Sequence, residues 1–289
     1  MLTRHVALVS EQSKITMREL SAVAAALQKQ ATRDLGPIWQ VEATVTSFEK
    51  LEDLPLDYWP VIVKDDIGDP DAAGYHEDEN GQPFSLVEYS RGWSLTASHE
   101  VLEMLVDPFG RRLVAGTSPV KGQGRVRFLV EVCDPSEAEK YSYHVNGVRV
   151  SDFYTPHYFD PTKASGVRYS FTESLTAPKQ VLPGGYLSWY DSETRQWWQR
   201  TYFGSKPSDD RIDGFKAKNG NLRQALDRYT ELARARVTGR PEPMAKGGAK
   251  GARMAMAAHR AHDASETLPT FPNRAESLRE TIAAVTGQK

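Results

Sequence analysis

In the first half of the chain, apolar residues recur with two spacings, one typical of a helix and one typical of a strand. A T-x-x-E capping box at Thr16 and Glu19 precedes an apolar stripe at helical spacing, so we predict a helix over residues 17–33. A polar stretch with an Asn-Gly turn signal covers residues 64–83. Alternating or continuous apolar runs predict strands at residues 6–10, 38–48, 58–63 and 84–89.

A second helix, predicted over residues 93–107 (WSLTASHEVLEMLVD), carries ionisable side chains among apolar ones. His99 and Glu103 lie one turn apart on the same face, and Glu100 lies beside them. This is the spacing of the H-E-x-x-H zinc helix, with glutamate in place of the second histidine. Its apolar neighbours predict a helix packed into a core, where buried polar groups need a partner. The pattern therefore favours a metal site over a solvated helix face.

A hydrolytic zinc site typically needs three protein ligands and an open position for water. We predict His99 and Glu103 as ligands and Glu100 as the general base for the metal-activated water. Asp107 lies about 12 Å from His99 along a straight helix, so a capping or supporting position suits it better than ligation.

The third ligand has several candidates in the sequence. Glu131 lies on a predicted strand over residues 125–133, where apolar neighbours would bury it, and a metal would compensate its charge. Cys133 points to the same face, although a buried cysteine is more often a small core residue. Asp107 and three histidines remain alternatives: His76, His144 and His157.

The second half predicts more strands, and then its composition changes. Residues 110–124 are predicted as a loop, and hairpins are predicted at residues 141–152 and 186–202. We predict a metal-binding domain over residues 1–205 and a helix packed on it within residues 206–239. Residues 240–272 are rich in glycine, alanine, methionine and lysine, which is typical of a linker. Residues 273–289 form a predicted amphipathic helix, which would dock on a protein partner or fold back on its own domain.

Composition excludes several classes of function. Charged residues make up 26% of the chain and the formal net charge is −2, so neither nucleic acid nor membrane is an expected partner. No run of about 18 apolar residues occurs, as a membrane span would need. The single cysteine rules out an intrachain disulfide. With no signal peptide evident, we expect a cytoplasmic protein, and packaging in a particle is compatible with this expectation.

The segment SLTASHEVLEMLVDP at residues 94–108 resembles the S-H-E-x-x-E helix, followed by Asp or Asn and Pro, of zincin-like proteins of metallopeptidase type. That group includes the plant phosphate-induced (exordium-like) proteins and their bacterial relatives. VEVCDP at residues 130–135 is similar to the glutamate-containing segment that follows the helix in that group. Residues 143–159 (YHVNGVRVSDFYTPHYF) are similar to a further run in the bacterial members. The resemblance covers about residues 6–161.

The resemblance implies an α+β fold, in which a twisted mixed sheet with an edge strand is followed by the metal-binding helix. It implies His99, Glu103 and Glu131 as zinc ligands and Glu100 as the base. The edge strand would be residues 84–89, with an extended peptide pairing along it. Its side chains would then form the substrate-binding surface: Phe84, Leu86 and Glu88. The strand could equally be an ordinary one covered by a loop.

Two functions follow from these expectations. The first is a zinc-dependent hydrolase, most simply a peptidase, with Glu100 as the base. The second is a zincin-fold structural or interaction protein in a larger assembly, for example a phage-like particle, with its C-terminal tail bound to a protein partner.

Overall fold

The computed structural model describes residues 2–68, 72–79, 81–212 and 222–238, together with Glu276, Arg279, Glu280, Ile282 and Ala283. The described residues form a mixed α+β fold with two five-stranded sheets and a two-stranded ribbon. None of the described helices combines the length and the apolar character that a membrane span requires.

The first sheet has the strand order β2-β1-β3-β5-β4. The first four strands are mutually parallel, and β4 pairs antiparallel with β5 at the edge. Parallel strands are usually buried on both faces, which explains the continuous apolar runs of β1 and β3. The strand bounds are β1 Arg4–Ser10, β2 Ala43–Phe48, β3 Tyr58–Lys64, β4 Gly74–Glu79 and β5 Gln82–Glu88.

Helix α1, Met17–Lys29, begins as the capping box predicts, because the Thr16 hydroxyl accepts a hydrogen bond from the Glu19 N–H at 3.2 Å. It continues as a π-helical segment over Gln30–Leu35 and a short helix α2 over Gly36–Trp39. Gln40 then adopts a left-handed conformation with φ of 54°. Residues 38–42 therefore belong to this helical exit, and the predicted strand over residues 38–48 begins only at Ala43.

The second sheet has the order β12-β11-β10-β7-β6, and its neighbouring strands are antiparallel. The ribbon pairs β8 with β9 through Asn146 and Gly147, which both have positive φ, as the predicted Asn-Gly hairpin requires. The remaining bounds are β6 Leu113–Thr117, β7 Arg125–Leu129, β8 Tyr143–Val145, β9 Val148–Val150, β10 Tyr186–Asp191, β11 Gln196–Thr201, β12 Ser208–Ile212, α3 Trp93–Val106 and α4 Leu222–Thr238.

The edge of the first sheet differs from the prediction. The predicted edge strand, β5, is hydrogen-bonded on both sides, and the polar segment Gly74–Glu79 forms the edge instead. Phe84 and Leu86 are 2% and 0% exposed and pack in the core on the face away from α3. The predicted edge position of β5 is therefore wrong, and the side chains of Phe84 and Leu86 are closed off from solvent in this structure. Glu88, at the end of β5, is partly exposed.

Two further segments differ from their predictions. The stretch predicted as a loop, residues 110–124, contains β6. The strand predicted over residues 125–133 ends at Leu129, and residues 130–136 turn inward toward α3 as irregular chain and a 3₁₀ turn. This early end carries Glu131 and Cys133 out of the sheet.

Of the C-terminal predictions, the helix expected within residues 206–239 is present as α4, with Leu226 buried in a small cluster beside β11. The predicted linker, residues 240–272, lies outside the described residues. In the predicted terminal helix, Ile282 is 2% exposed and packs in the core beside β1 and β3, and Arg279 pairs with Glu11 and Glu52.

Candidate metal centre

Helix α3 presents its ionisable side chains to the interior of the molecule. Its apolar residues, among them Val101, Leu102 and Leu105, are buried in the main core. Glu103 is 0% exposed and Glu100 3% exposed, so neither belongs to a solvated helix face. The His99 side chain retains 14% exposure.

His99, Glu103 and Asp134 form the first cluster of ionisable groups. His99 Nε2 lies 3.3 Å from Glu103 Oε1 and 3.2 Å from Asp134 Oδ1. The backbone N–H of Cys133 donates to Glu103 Oε1 at 3.1 Å and fixes the orientation of that carboxylate. Two ligands of a tetrahedral zinc, at about 2.1 Å from the metal, lie roughly 3.3 Å apart. Each of the two carboxylate oxygens therefore lies at the distance from His99 Nε2 that two ligands of one zinc ion would have.

Asp134 is the residue that sequence reasoning missed. The chain turns inward after β7 and places Asp134 at the start of the 3₁₀ turn Asp134–Ser136, next to the His99 imidazole. The predicted third ligand, Glu131, also lies nearby, because its carboxylate is within 4.8 Å of ligand atoms of Glu103 and Asp134. Both acids occur in the sequence VEVCDP, but only the inward turn of this segment shows which of them faces His99.

Burial and mutual charge shift the pKa values of this cluster. Burial alone would lower the pKa of His99, but the charge of Glu103 and the contact with Asp134 outweigh it, so that pKa is well above its usual value. Burial, followed by the charge of Glu103, raises the pKa of Asp134 well above the usual range of a carboxyl. Burial also raises the pKa of the Cys133 thiol, whose Sγ lies 3.8 Å from the carbonyl oxygen of His99.

A second cluster lies between α3 and the edge strand β4. Nδ1 of His76, a residue of β4, is 3.4 Å from Glu100 Oε2 and 3.9 Å from Glu103 Oε2. His76 lies directly opposite Ser85 of β5 and shares the sheet face that α3 covers. Glu103 therefore takes part in both clusters, with one carboxylate oxygen toward each. The predicted base, Glu100, faces His76 of the edge strand.

Glu137 and Arg234 contribute to the lining of a cleft of about 390 Å³. Glu137 has a carboxylate oxygen within 4.8 Å of ligand atoms of His99 and Asp134. Burial raises the pKa of Glu137, although Arg234 of α4 contacts its Oε1 at 2.6 Å and opposes that shift. Arg234 also lies over the ring of Phe203. Helix α4 thus contributes Arg234 to the lining of the cleft.

The other predicted residues lie around or outside these clusters. Asp107 ends α3, and its carbonyl oxygen lies 3.1 Å from His76 Nε2, while its carboxylate accepts the Arg112 N–H. It therefore holds a supporting position, and its own carboxylate does not approach His99. His157 is 60% exposed and paired with Asp160, and His144 is exposed on β8. Neither belongs to a cluster of possible ligands among the described residues.

Comparison of the chain with family models, with curated proteins and with solved structures found no match.

Proposed function

We propose that this chain is a metal-dependent hydrolase whose zinc ion is held by His99, Glu103 and Asp134. The observation that carries the proposal is the approach of two carboxylates to one imidazole nitrogen, with Glu103 Oε1 at 3.3 Å and Asp134 Oδ1 at 3.2 Å from His99 Nε2. Three protein ligands leave a fourth position open, as catalytic zinc sites do. Zinc in such a site polarises the bond to be cleaved and makes water more acidic.

The remaining residues of the site supply the proton transfer and the charge stabilisation. Glu137 borders both the His99 cluster and the open cleft, so it can accept a proton from water that enters there. Arg234 lies beside it and can stabilise negative charge that develops on a carbonyl oxygen. We therefore assign the proton acceptor to Glu137 instead of Glu100, which faces β4.

An extended peptide is the substrate class that we propose, and the edge position of β4 supports it. In the described part of the first sheet β4 pairs only with β5, and a peptide strand can add to such an edge. His76 of β4 contacts the zinc ligand Glu103, so a substrate paired with this strand would lie close to the site. This proposal places the chain with zincin-like peptidases, in agreement with the resemblance of residues 94–108.

Peptide hydrolysis by the purified full-length chain tests this proposal. A library of quenched fluorescent peptides is offered to the zinc-loaded protein, to the chelated protein and to chelated protein reloaded with zinc. We expect cleavage to disappear on chelation and to return with zinc. Cleavage that survives complete chelation would contradict the proposal.

Substitution of the two glutamates decides which one accepts the proton. We expect Glu137→Gln to lower kcat about 100-fold or more with the His99 zinc retained, because loss of a general base typically costs this much. Glu139→Gln is the matched control, since Glu139 is 69% exposed and pairs with Arg149 away from the cleft. A loss of activity in Glu100→Gln, with full zinc content and with Glu137→Gln active, would assign the base to Glu100.

The second candidate function is a zincin-fold scaffold in which the metal only cross-links the chain. The complete burial of Glu103 favours it, because a metal there would join α3 to residues 130–136. The two functions differ in one measurement. A scaffold would lose thermal stability on chelation and would cleave no peptide in the library.

A further inference from the structure

His76 is a fully buried histidine on the edge strand β4, and the site described above makes no use of it. Its Nε2 lies 3.1 Å from the carbonyl oxygen of Asp107. A carbonyl oxygen can only accept a hydrogen bond, so Nε2 carries the hydrogen in this contact. In the neutral imidazole Nδ1 is then an unprotonated nitrogen with a free lone pair.

The lone pair of Nδ1 points toward carboxylate oxygens, at 3.4 Å from Glu100 Oε2 and 3.9 Å from Glu103 Oε2. Ionised carboxylates also offer only lone pairs. Neither His76 Nδ1 nor Glu100 Oε2 has a hydrogen-bond partner among the described residues. Acceptors that face one another inside a protein are costly unless a cation lies between them.

Histidine ligands of metals commonly donate their other ring N–H to a backbone carbonyl or a carboxylate, which fixes the tautomer and the ring orientation. His76 has this arrangement toward Asp107. Its Nδ1 and the carboxylates of Glu100 and Glu103 all lie within 4.8 Å of one another. The geometry therefore suits a divalent cation with one nitrogen and two oxygen ligands.

Glu103 connects this cluster to the first one. Its Oε1 faces His99, and its Oε2 faces His76. We propose that Glu103 bridges two divalent cations, the second one held by His76, Glu100 and Glu103. The pair rests on the proposed function, which supplies the first ion. Paired metal sites in hydrolases place the ions about 3.5–4 Å apart and clamp both sides of the reacting group.

Gly74 of β4 gives Glu100 the space that this arrangement needs. A Cβ at residue 74 would lie 3.1 Å from Glu100 Oε1 and 2.6 Å from Thr96 Cγ2. Glycine at this position lets the edge strand pass close to α3 and brings His76 to the carboxylates. The second cation would thus join the edge strand β4 to helix α3.

Zinc stoichiometry of the full-length protein tests the pair. The wild type, His76→Gln, Glu100→Gln and His99→Ala are loaded with zinc, dialysed and measured by mass spectrometry, and circular dichroism verifies folding. We expect two zinc ions per chain in the wild type and one in His76→Gln and in Glu100→Gln. Ser94→Ala is the control, because Ser94 lies on the same helix as Glu100 and its hydroxyl donates to the carbonyl oxygen of Arg149. It should keep both ions.

X-ray absorption of the zinc-loaded wild type gives an independent readout that needs no variant. We expect a zinc–zinc distance of about 3.5–4 Å. One zinc ion per chain, lost in His99→Ala and retained in His76→Gln, would overturn the second site and leave the proposed function intact. A wild type that holds no zinc would overturn both.

Discussion

The proposed set of three zinc ligands differs from the predicted set at one position, where Asp134 takes the place of Glu131. Asp134 Oδ1 lies 3.2 Å from His99 Nε2, whereas Glu131 approaches the other acids of the cluster. Both residues stand within one short segment, so only the path of the backbone chooses between them.

Zinc affinities of matched amide variants test this choice. We expect Asp134→Asn to weaken zinc binding by more than the roughly 10–100-fold that loss of a supporting partner costs, since it alters a proposed ligand. Glu131→Gln, the control of the same type, should stay within that range. Calorimetric titration of both variants measures the difference. The reverse order would make Glu131 the third ligand, as the resemblance implies.

Helix α3 is held in place by the serine that precedes His99. Ser98 donates to Gln30 Oε1 at 2.8 Å and accepts the Ser151 N–H at 2.8 Å, and all three residues are buried. This network joins α3 to the π-helical segment after α1 and to the chain after β9. It therefore fixes the position of His99 relative to the rest of the fold.

We expect Ser98→Ala to lower the free energy of unfolding by about 1–3 kcal/mol, because it leaves buried hydrogen-bonding groups without their partner. Ser94→Ala on the same helix is the control, since Ser94 is partly exposed and its hydroxyl donates a hydrogen bond to the Arg149 carbonyl. It should change stability by less than about 0.5 kcal/mol. Urea unfolding measures both, and equal effects would contradict the role of the network.

Several elements of the fold could be predicted from the sequence, because local signals set them. The capping box at Thr16, the Asn146-Gly147 turn and the apolar run of β1 each correspond to the observed element. The edge strand could not be predicted, since β4 reads GYHEDE and its buried His76 and Glu77 look like surface residues. The burial of β4 depends on α3 and on the core cluster that contains Phe84 and Leu86. Most of these contacts are distant in sequence.

The candidate site also combines features set by local sequence with features set by distant contacts. The spacing of His99, Glu100 and Glu103 on one helix is a local property, and the helix forms as predicted. The approach of His76 and Asp134 depends on how β4 and residues 130–136 fold around that helix. Histidine, aspartate and glutamate residues are common along the chain, so composition does not predict which of them come together over a long sequence separation.

The described C-terminal residues show where this part of the chain packs on the molecule. Ile282 is buried in the core cluster beside β1 and β3, which favours a tail that folds back on its own domain over a tail that is free to dock on a partner. Arg279 beside it pairs with Glu11 and Glu52 at a partly exposed position.

We expect Ile282→Ala to lower the free energy of unfolding by about 2 kcal/mol or more, as truncation of a buried isoleucine does. Arg279→Ala should cost less than about 1 kcal/mol, because exposed ion pairs contribute little. Thermal unfolding of the two variants checks this difference. If Ile282→Ala unfolds like the wild type, the tail is not seated on the domain in solution and becomes a candidate for partner binding.

The most direct test of the metal centre is the zinc content of the purified protein, compared between the wild type and His99→Ala. Mass spectrometry after zinc loading and dialysis should find about one zinc ion per chain fewer in the variant, because the proposed first site takes its nitrogen ligand from His99. Equal zinc content in the two proteins, or no zinc in either, would contradict the metal centre and the hydrolase that depends on it.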